Sequence, residues 1–377
     1  MKPEDLAEGL NTILAHSPVF PDKCLIIDVV ANPKAGGFSR IHHSKKRMRE
    51  LKEMVSRSLE LPLRKAPLSL KMHLTERCGH AATIVQRILE HSPSNGKDSY
   101  HIIITAGGDG TSLETAEQLT LLPESEKDRF GLVRLPFGTG NDGSEGRDLF
   151  VALERFLNPA ILERKPALKI TPSYEGGALP RYSFNIASIG LDAYVAEMTN
   201  RLKRHFPGDS YKFWVDIGTM FYDRVYKVVN MGLRAWNRGR LVLDSELPRL
   251  LVAMGASGNR YYGSHKSILP NEHNCIAISQ TSLFRKLILK GSIENGKHEH
   301  IRELTHFTAD RLQIDYHESI PLQCDGETTL LAKCDFPLEM ERLQTVSYTH
   351  LRAHETVLDL VCRLLLEKRK QKNNNTN

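Results

Sequence analysis

Continuous apolar runs broken by glycine-rich loops dominate the first part of the chain, and short segments of mixed polarity dominate the rest. Residues 24–31 read CLIIDVVA, an apolar, β-branched run of the kind that forms a strand buried on both faces. It ends in Asn32-Pro33-Lys34-Ala35-Gly36-Gly37, and a basic helical stretch follows over 40–59. A second run, 68–74, leads through residues 75–79 into a helix predicted over 80–90. A third, HIIITA at 101–106, ends in Gly107-Gly108-Asp109-Gly110-Thr111 and enters a helix predicted over 112–121. A fourth, 131–135, ends in Pro136-Phe137-Gly138-Thr139-Gly140-Asn141-Asp142. Strand–loop–helix units in series predict a parallel α/β sheet. Open sheets of this kind bind ligands outside the carboxyl ends of their strands. The glycine-containing loops after the first, third and fourth strands should therefore converge on one crevice.

Beyond about residue 165 the pattern changes. Short strands are predicted at 168–171, 182–187, 249–254, 274–280, 311–316 and 319–324, with a helical stretch over 192–229 between them. That texture predicts a mostly antiparallel second domain. The expected organisation is an α/β domain over 22–165, a β-rich domain over 166–345, and a distinct tail over 346–377.

Composition narrows the class. The chain has 377 residues, 40% hydrophobic and 25% charged, which is ordinary globular usage and excludes a disordered or fibrous protein. Lys+Arg 51 against Asp+Glu 45 gives a net charge of +6, without the dense basic runs of a nucleic-acid binder. Nucleic acid is therefore not an expected partner. The six cysteines show no C-x-x-C or zinc-type spacing, so they read as reduced thiols of a cytoplasmic protein. The first residues lack the apolar core of a signal peptide, and no stretch reaches the ~18 apolar residues of a membrane span.

Glycine pairs permit positive φ and close backbone approach, so successive N–H groups can hold phosphate oxygens, and a helix starting behind them adds its dipole. The segment 107–111 has that arrangement. Asp109 places a carboxylate where Mg²⁺ or a hydroxyl could be held, and Thr111 is placed to cap the following helix. Gly138, Gly140 and Gly143 satisfy G-x-G-x-x-G, but Glu163 precedes its strand and could not meet a ribose, so a dinucleotide site is a weak reading. No G-x-x-x-x-G-K-[ST], H-R-D or D-F-G occurs, which excludes a P-loop NTPase and a protein kinase on motif grounds.

These blocks, in order, resemble the signature of the diacylglycerol kinase catalytic domain family, which includes bacterial lipid kinases and sphingosine kinases. Asn32-Pro33 with Gly36-Gly37, 107–111 with Glu114, and 135–142 carry the resemblance. Thr75 is similar to the family's nucleotide-contacting threonine. Phe184, Asn185, Gly190, Asp192 and Ala193 resemble its FxNxxxxGxDA segment, Tyr261-Tyr262-Gly263 with Leu269-Pro270 its YGGG…P segment, and Asp325-Gly326-Glu327 its late DGE.

The resemblance implies ATP-dependent phosphorylation of a lipid hydroxyl, with Mg²⁺, in a cleft between the domains. Carried over, Asn32, Thr75, Gly107, Gly108, Asp109, Gly110, Thr111, Ser112 and Glu114 would serve the nucleotide and its metal, and Thr139 and Asn141 the base and ribose. Asp325 would be the general base with Glu327 as metal partner, or Asp109 would take the base role. The implied partners are ATP and a lipid alcohol met at the membrane surface by peripheral contact. The oligomeric state stays open, a homodimer among the options. An NAD kinase shares GGDGT and is the rival enzyme, although 135–142 and the DGE fit the lipid branch better. A nucleotide-binding regulator without catalysis is the rival from another class.

The family's Asp-Gly after Pro270 is missing, since residues 271–276 read Asn-Glu-His-Asn-Cys-Ile, which puts a second metal in doubt. His298, His300 and His306 read as solvated surface, and the aromatic-basic stretch 206–214 as an amphipathic helix with a solvated face. Lys34 reads as a solvated loop lysine. Residues 346–377 follow where the family would finish its last strand and resemble translated sequencing-adaptor tails. They are read as non-native, the alternative being a basic amphipathic anchor.

Overall fold

The computed structural model describes residues 1–353 except 93–97, 139–147, 159, 174–179, 203–217, 219, 258–260, 263–265, 268, 270–272, 295–296 and 299–300. The chain divides into two units, one of residues 1–164 with 348–377 and one of residues 165–347.

The N-terminal unit opens with α1 (Pro3–Ala15), which the apolar runs do not announce. Leu6, Leu10, Ile13 and Leu14 recur at helical spacing and are fully buried, while Pro3 begins the helix, where its missing N–H costs nothing. Then come β1 (Cys24–Ala31), α2 (Gly36–Ser39), α3 (Ile41–Ser58), β2 (Leu68–Leu74), α4 (His80–His91), β3 (Ser99–Gly107), α5 (Asp109–Thr120), α6 (Glu124–Lys127), β4 (Phe130–Pro136) and α7 (Leu149–Glu154).

The strands pair in parallel in the order β2-β1-β3-β4, with Ile27 opposite Leu70 and Ile102, and Ile103 opposite Leu132. The predicted parallel sheet is therefore present. Its core gathers Leu25, Ile27, Val29, Ile102, Ile104 and Val133 against Leu6, Leu10, Ile13 and Leu14 of α1. Each large apolar side chain so buried contributes roughly 1.5–3 kcal/mol. The chain runs from β1 outward to β2 and returns to β3 on the other side of β1. The strand order thus switches between β1 and β3, where an open α/β sheet leaves a crevice.

Asp28 interrupts the apolar run of β1. It meets Nε2 of His73 on β2 at 2.5 Å and Nε2 of His101 on β3 at 2.6 Å, a polar clasp across three strands. His101 Nδ1 lies 3.2 Å from Ser92 Oγ.

The second unit contains β5 (Ala160–Thr171, beginning just before the division), β6 (Arg181–Ser183), β7 (Ile186–Gly190), α8 (Leu191–Leu202), α9 (Tyr222–Val225), β8 (Asn230–Asn237), β9 (Arg240–Gly255), β10 (Tyr261–Tyr262), β11 (Lys266–Ser267), β12 (Cys275–Ser279), α10 (Leu283–Glu294), β13 (Leu304–Phe307), β14 (Arg311–Asp315), β15 (Ile320–Cys324), β16 (Glu327–Leu331) and the first part of β17 (Leu338–Ala353), whose residues from Tyr348 on belong to the first unit. Pairing here is antiparallel, as the short alternating segments predict. Central β9 pairs β8 through its first half and both β7 and β12 through its second.

Several predicted bounds shift. The segment 182–187 divides into the end of β6 and the start of β7. The helical stretch 192–229 is reduced, among the described residues, to α8, helical residues 218 and 220, and α9; directly after it, β8 hairpins onto β9. The turn between them, Arg238-Gly239, has φ of 51° and 75°, the left-handed pair that a two-residue hairpin requires. Strand β17 runs through residue 346, where a tail was expected to begin, and His350 pairs in parallel with Leu132 of β4. Residues 206–214 and 354–377 lie outside the described residues.

Candidate functional site

Three glycine loops meet at the carboxyl edge of the N-terminal sheet, as predicted. Asn32 follows β1, and its backbone N–H donates to the Ala106 carbonyl at the end of β3 (3.0 Å). Its side-chain Oδ1 accepts the Lys34 N–H at 3.0 Å, folding residues 32–34 into an Asx turn. The Gly37 N–H donates to the Phe137 carbonyl after β4 at 2.8 Å, and the Phe38 and Phe137 rings stack 4.3 Å apart. A Cβ on Gly37 would lie 2.6 Å from the Phe137 ring, so this position admits only hydrogen. A Cβ on Gly108 would have the Gly138 Cα as its nearest neighbour, at 3.9 Å, which sets the β3 and β4 loops side by side.

Helix α5 begins earlier than the sequence predicts. Asp109 is its first residue and Gly108 its N-cap, with φ −85° and ψ −176°. Thr111 is therefore not the cap; it sits in the first turn, buried, with Thr115 Oγ1 donating to its carbonyl at 2.9 Å. Nor do the GGDGT glycines adopt positive φ. Gly107 is required by close approach instead, because a Cβ there would lie 2.6 Å from Thr111 Oγ1 and 2.7 Å from Thr111 Cβ. Helix N-termini carry N–H groups without intrahelical partners and a positive dipole end, which suits them to phosphate oxygens. Asp109 and Gly110 are half-exposed at that terminus.

The side chains of Ser112 and Glu114 are engaged elsewhere. The Ser112 hydroxyl is buried 3.0 Å from Thr105 Oγ1 on β3. Glu114 turns to α4, accepting from the Gly79 N–H at 2.8 Å and the Ala81 N–H at 3.1 Å. Thr75 is buried just past β2, its N–H donating to the Ala31 carbonyl at 2.9 Å. Thr139 and Asn141 lie outside the described residues.

In the second unit, Asp325-Gly326 is the turn of the β15–β16 hairpin, with φ of 51° and 91°. The Asp325 carboxylate is saturated. Oδ1 accepts from Ser183 Oγ (2.8 Å) and from the N–H groups of Asn185 and Ile186 (both 2.9 Å), and Oδ2 accepts from the Phe184 N–H (2.6 Å). Burial pushes this carboxyl up from its ordinary value, and those four donors pull against it. Glu327, two residues on, is exposed on β16.

Asp192, absent from the predicted site residues, is joined to this turn. Its Oδ2 accepts from Ser188 Oγ at 2.5 Å and Gln323 Nε2 at 3.1 Å, while Gln323 Oε1 accepts the Gly326 N–H at 2.8 Å. Burial raises the Asp192 carboxyl, with the Ser188 and Gln323 bonds opposing. These bonds tie Asp192 to the Asp325 turn, and the GxDA spacing was the available signal. Gly190, with φ of 89°, would place a Cβ 2.3 Å from the Leu250 carbonyl, so this motif glycine is obligatory.

Residues 27–149 match the family model of the diacylglycerol kinase catalytic domain. The resemblance carried by the loop motifs holds over that stretch. The chain is similar to a protein described as "Probable lipid kinase YegS-like" from Pseudomonas fluorescens, 34% identical over 151 residues, covering 40% of this chain and 44% of that one. It is also similar to one of the same description from Pectobacterium atrosepticum, 29% identical over 137 residues, covering 36% and 42%. The matches span less than half the length of these relatives. In fold, the chain is similar to a "putative diacylglycerol kinase" from Bacillus anthracis, with TM-score 0.54, 20% identity, and coverage of 87% of this chain and 96% of that one. The blocks at 184–193 and 325–327 fall beyond the diacylglycerol kinase match.

Among the described residues no three His, Cys, Asp or Glu side chains gather into a metal cage. A Mg²⁺ arriving on phosphate oxygens needs only one or two protein carboxylates, and Asp109, at the start of α5, is the carboxylate that would hold it there. The expected solvation fails for His298, which is buried with its ring 5.7 Å from that of His306; His300, Gly263, Pro270 and residues 271–272 lie outside the described residues. No described helix is long and apolar enough to cross a membrane.

Proposed function

We propose that the chain is a lipid kinase, transferring the γ-phosphoryl group of ATP to the hydroxyl of a membrane lipid alcohol. One observation carries the reading: the diacylglycerol kinase-type loops meet at the strand-order switch, with helix α5 starting inside GGDGT. Phosphoryl transfer demands mainly a cradle for the phosphates and an aligned acceptor oxygen. The backbone N–H groups at the start of α5 hold the phosphate oxygens, and Gly107 allows Thr111 to close the loop behind them. Mg²⁺ bound to the triphosphate would neutralise charge developing on the bridging oxygen.

Asp109 is the residue we assign to the proton. The acceptor oxygen bonds to the γ-phosphorus as the bond to the β,γ-bridging oxygen breaks, and the hydroxyl proton passes to the Asp109 carboxylate, which requires an approach of ~3 Å. Asp325 is assigned a positioning role because its lone pairs are already engaged by Ser183, Phe184, Asn185 and Ile186. The protein reaches its lipid by peripheral membrane contact. Incubation with γ-labelled ATP, Mg²⁺ and a panel of lipid alcohols, resolved by thin-layer chromatography, tests the reading. Label on NAD with none on lipid would move it to the NAD kinase reading, which the GGDGT loop also fits.

A further inference from the structure

Helix α4 is capped by a neighbour. Its N-cap is Gly79, at φ 79°, and no side chain of its own segment caps it. The carboxylate of Glu114, on α5, fills the place instead. Oε1 accepts from the Gly79 N–H at 2.8 Å and lies 3.7 Å from Cys78 Sγ, and Oε2 accepts from the N–H groups of Ala81 (3.1 Å) and Ala82 (3.4 Å). This is the set of donors that a helix terminus offers an anion, occupied by an internal carboxylate.

The turn it holds, residues 75–79, carries Thr75. At its near end the Thr75 N–H is fixed to the Ala31 carbonyl of β1, and the Glu76 N–H donates to His80 Nδ1 at 3.1 Å. At its far end Glu114 is the anchor. Glu114 also belongs to the helix whose first residues are Asp109 and Gly110, so a single helix presents the phosphate loop at one end and grips the Thr75 turn from its second turn.

We infer that Glu114 is a positioning residue: its carboxylate occupies the α4 N-terminus and thereby registers the Thr75 turn against the phosphate loop. This rests on the nucleotide reading above, with Thr75 as the nucleotide contact that the family resemblance implies. The contribution to nucleotide binding passes through the cap and not through contact with the nucleotide. A small carboxylate added from solution can then replace the missing side chain, which a residue of merely bulk structural value does not allow.

The test compares full-length wild type, Glu114→Ala and Glu114→Gln for ATP affinity and for KM against kcat, with sodium acetate titrated against a chloride control. Glu114→Ala should weaken ATP binding about tenfold, the scale of one lost helix cap. Its kcat should fall less than its KM rises, and acetate should restore part of the affinity. Glu114→Gln keeps one acceptor for Gly79 but sets an amide N–H₂ against Ala81 and Ala82, so it should fall between the two. It also serves as the readout should the alanine variant fail to fold. Unchanged ATP affinity in both variants, or a lower melting temperature with unchanged KM and no acetate response, would overturn the inference. Wild-type protein that binds no ATP would instead defeat the kinase reading itself.

Discussion

The Asp325 carboxylate accepts the backbone N–H of Phe184 at 2.6 Å, across 141 residues of chain. Three further donors complete the set, so the DGE aspartate closes the bend between β6 and β7 from a hairpin turn remote in sequence. Asp325→Asn is therefore not a conservative change, because the amide places N–H against one of these donors. It should destabilise the fold by about 1–3 kcal/mol, the cost of an unsatisfied buried donor. Chemical denaturation checks this: a variant as stable as wild type but inactive would restore Asp325 to the general-base role.

Gly107 tests the phosphate loop by geometry alone. Gly107→Ala drives a methyl group to within 2.7 Å of the Thr111 Cβ, and neither the strand nor the buried threonine has room to yield. ATP binding should fall at least about tenfold, with a stability loss on the ~1–3 kcal/mol scale of overpacking. Combining it with Thr111→Ala, which removes the Oγ1 that the new methyl meets at 2.6 Å, should recover part of the stability. Wild-type affinity in Gly107→Ala would show that the loop is not held by this contact.

Asp28 predicts a pH dependence of stability. Burial works against its charge, but the bonds from His101 and His73, with their proximity, outweigh it and hold the carboxyl well below the usual carboxylate range. A depressed folded value means stabilisation that is complete above the unfolded value near ~4 and lost as pH falls through the folded one. Wild type should exceed Asp28→Asn in melting temperature at neutral pH, and the gap should narrow as the pH drops below about 4. Parallel melting curves across that range would contradict the assignment.

The parallel sheet was legible because a strand buried on both faces leaves an uninterrupted apolar run, and the loops that end it announced the crevice. Helix α1 was hidden by its acidic, polar outer face, although Leu6, Leu10, Ile13 and Leu14 keep helical spacing. The first half of β9 is largely exposed, and its short apolar run Leu241–Leu243 is cut off by Asp244, Ser245 and Glu246, so residues 240–248 do not read as a core strand. The start of α5 escaped because glycine reads as loop, whereas here Gly110 lies within a helix and Gly107 answers a steric demand. Tertiary hydrogen bonds leave no local trace at all. That Glu114 caps α4, and that Asp325 is spent on Phe184 and its neighbours, depends on chain segments that meet only in the fold.

The most direct measurement is transfer of label from γ-labelled ATP to a panel of lipid alcohols in vesicles, with wild type beside Asp109→Ala. Wild type should yield a labelled lipid monophosphate. Asp109→Ala should lose at least about a hundredfold in kcat, the scale of general-base catalysis, while keeping its melting temperature. Labelled NADP with no labelled lipid, or full activity in Asp109→Ala, would contradict the proposal.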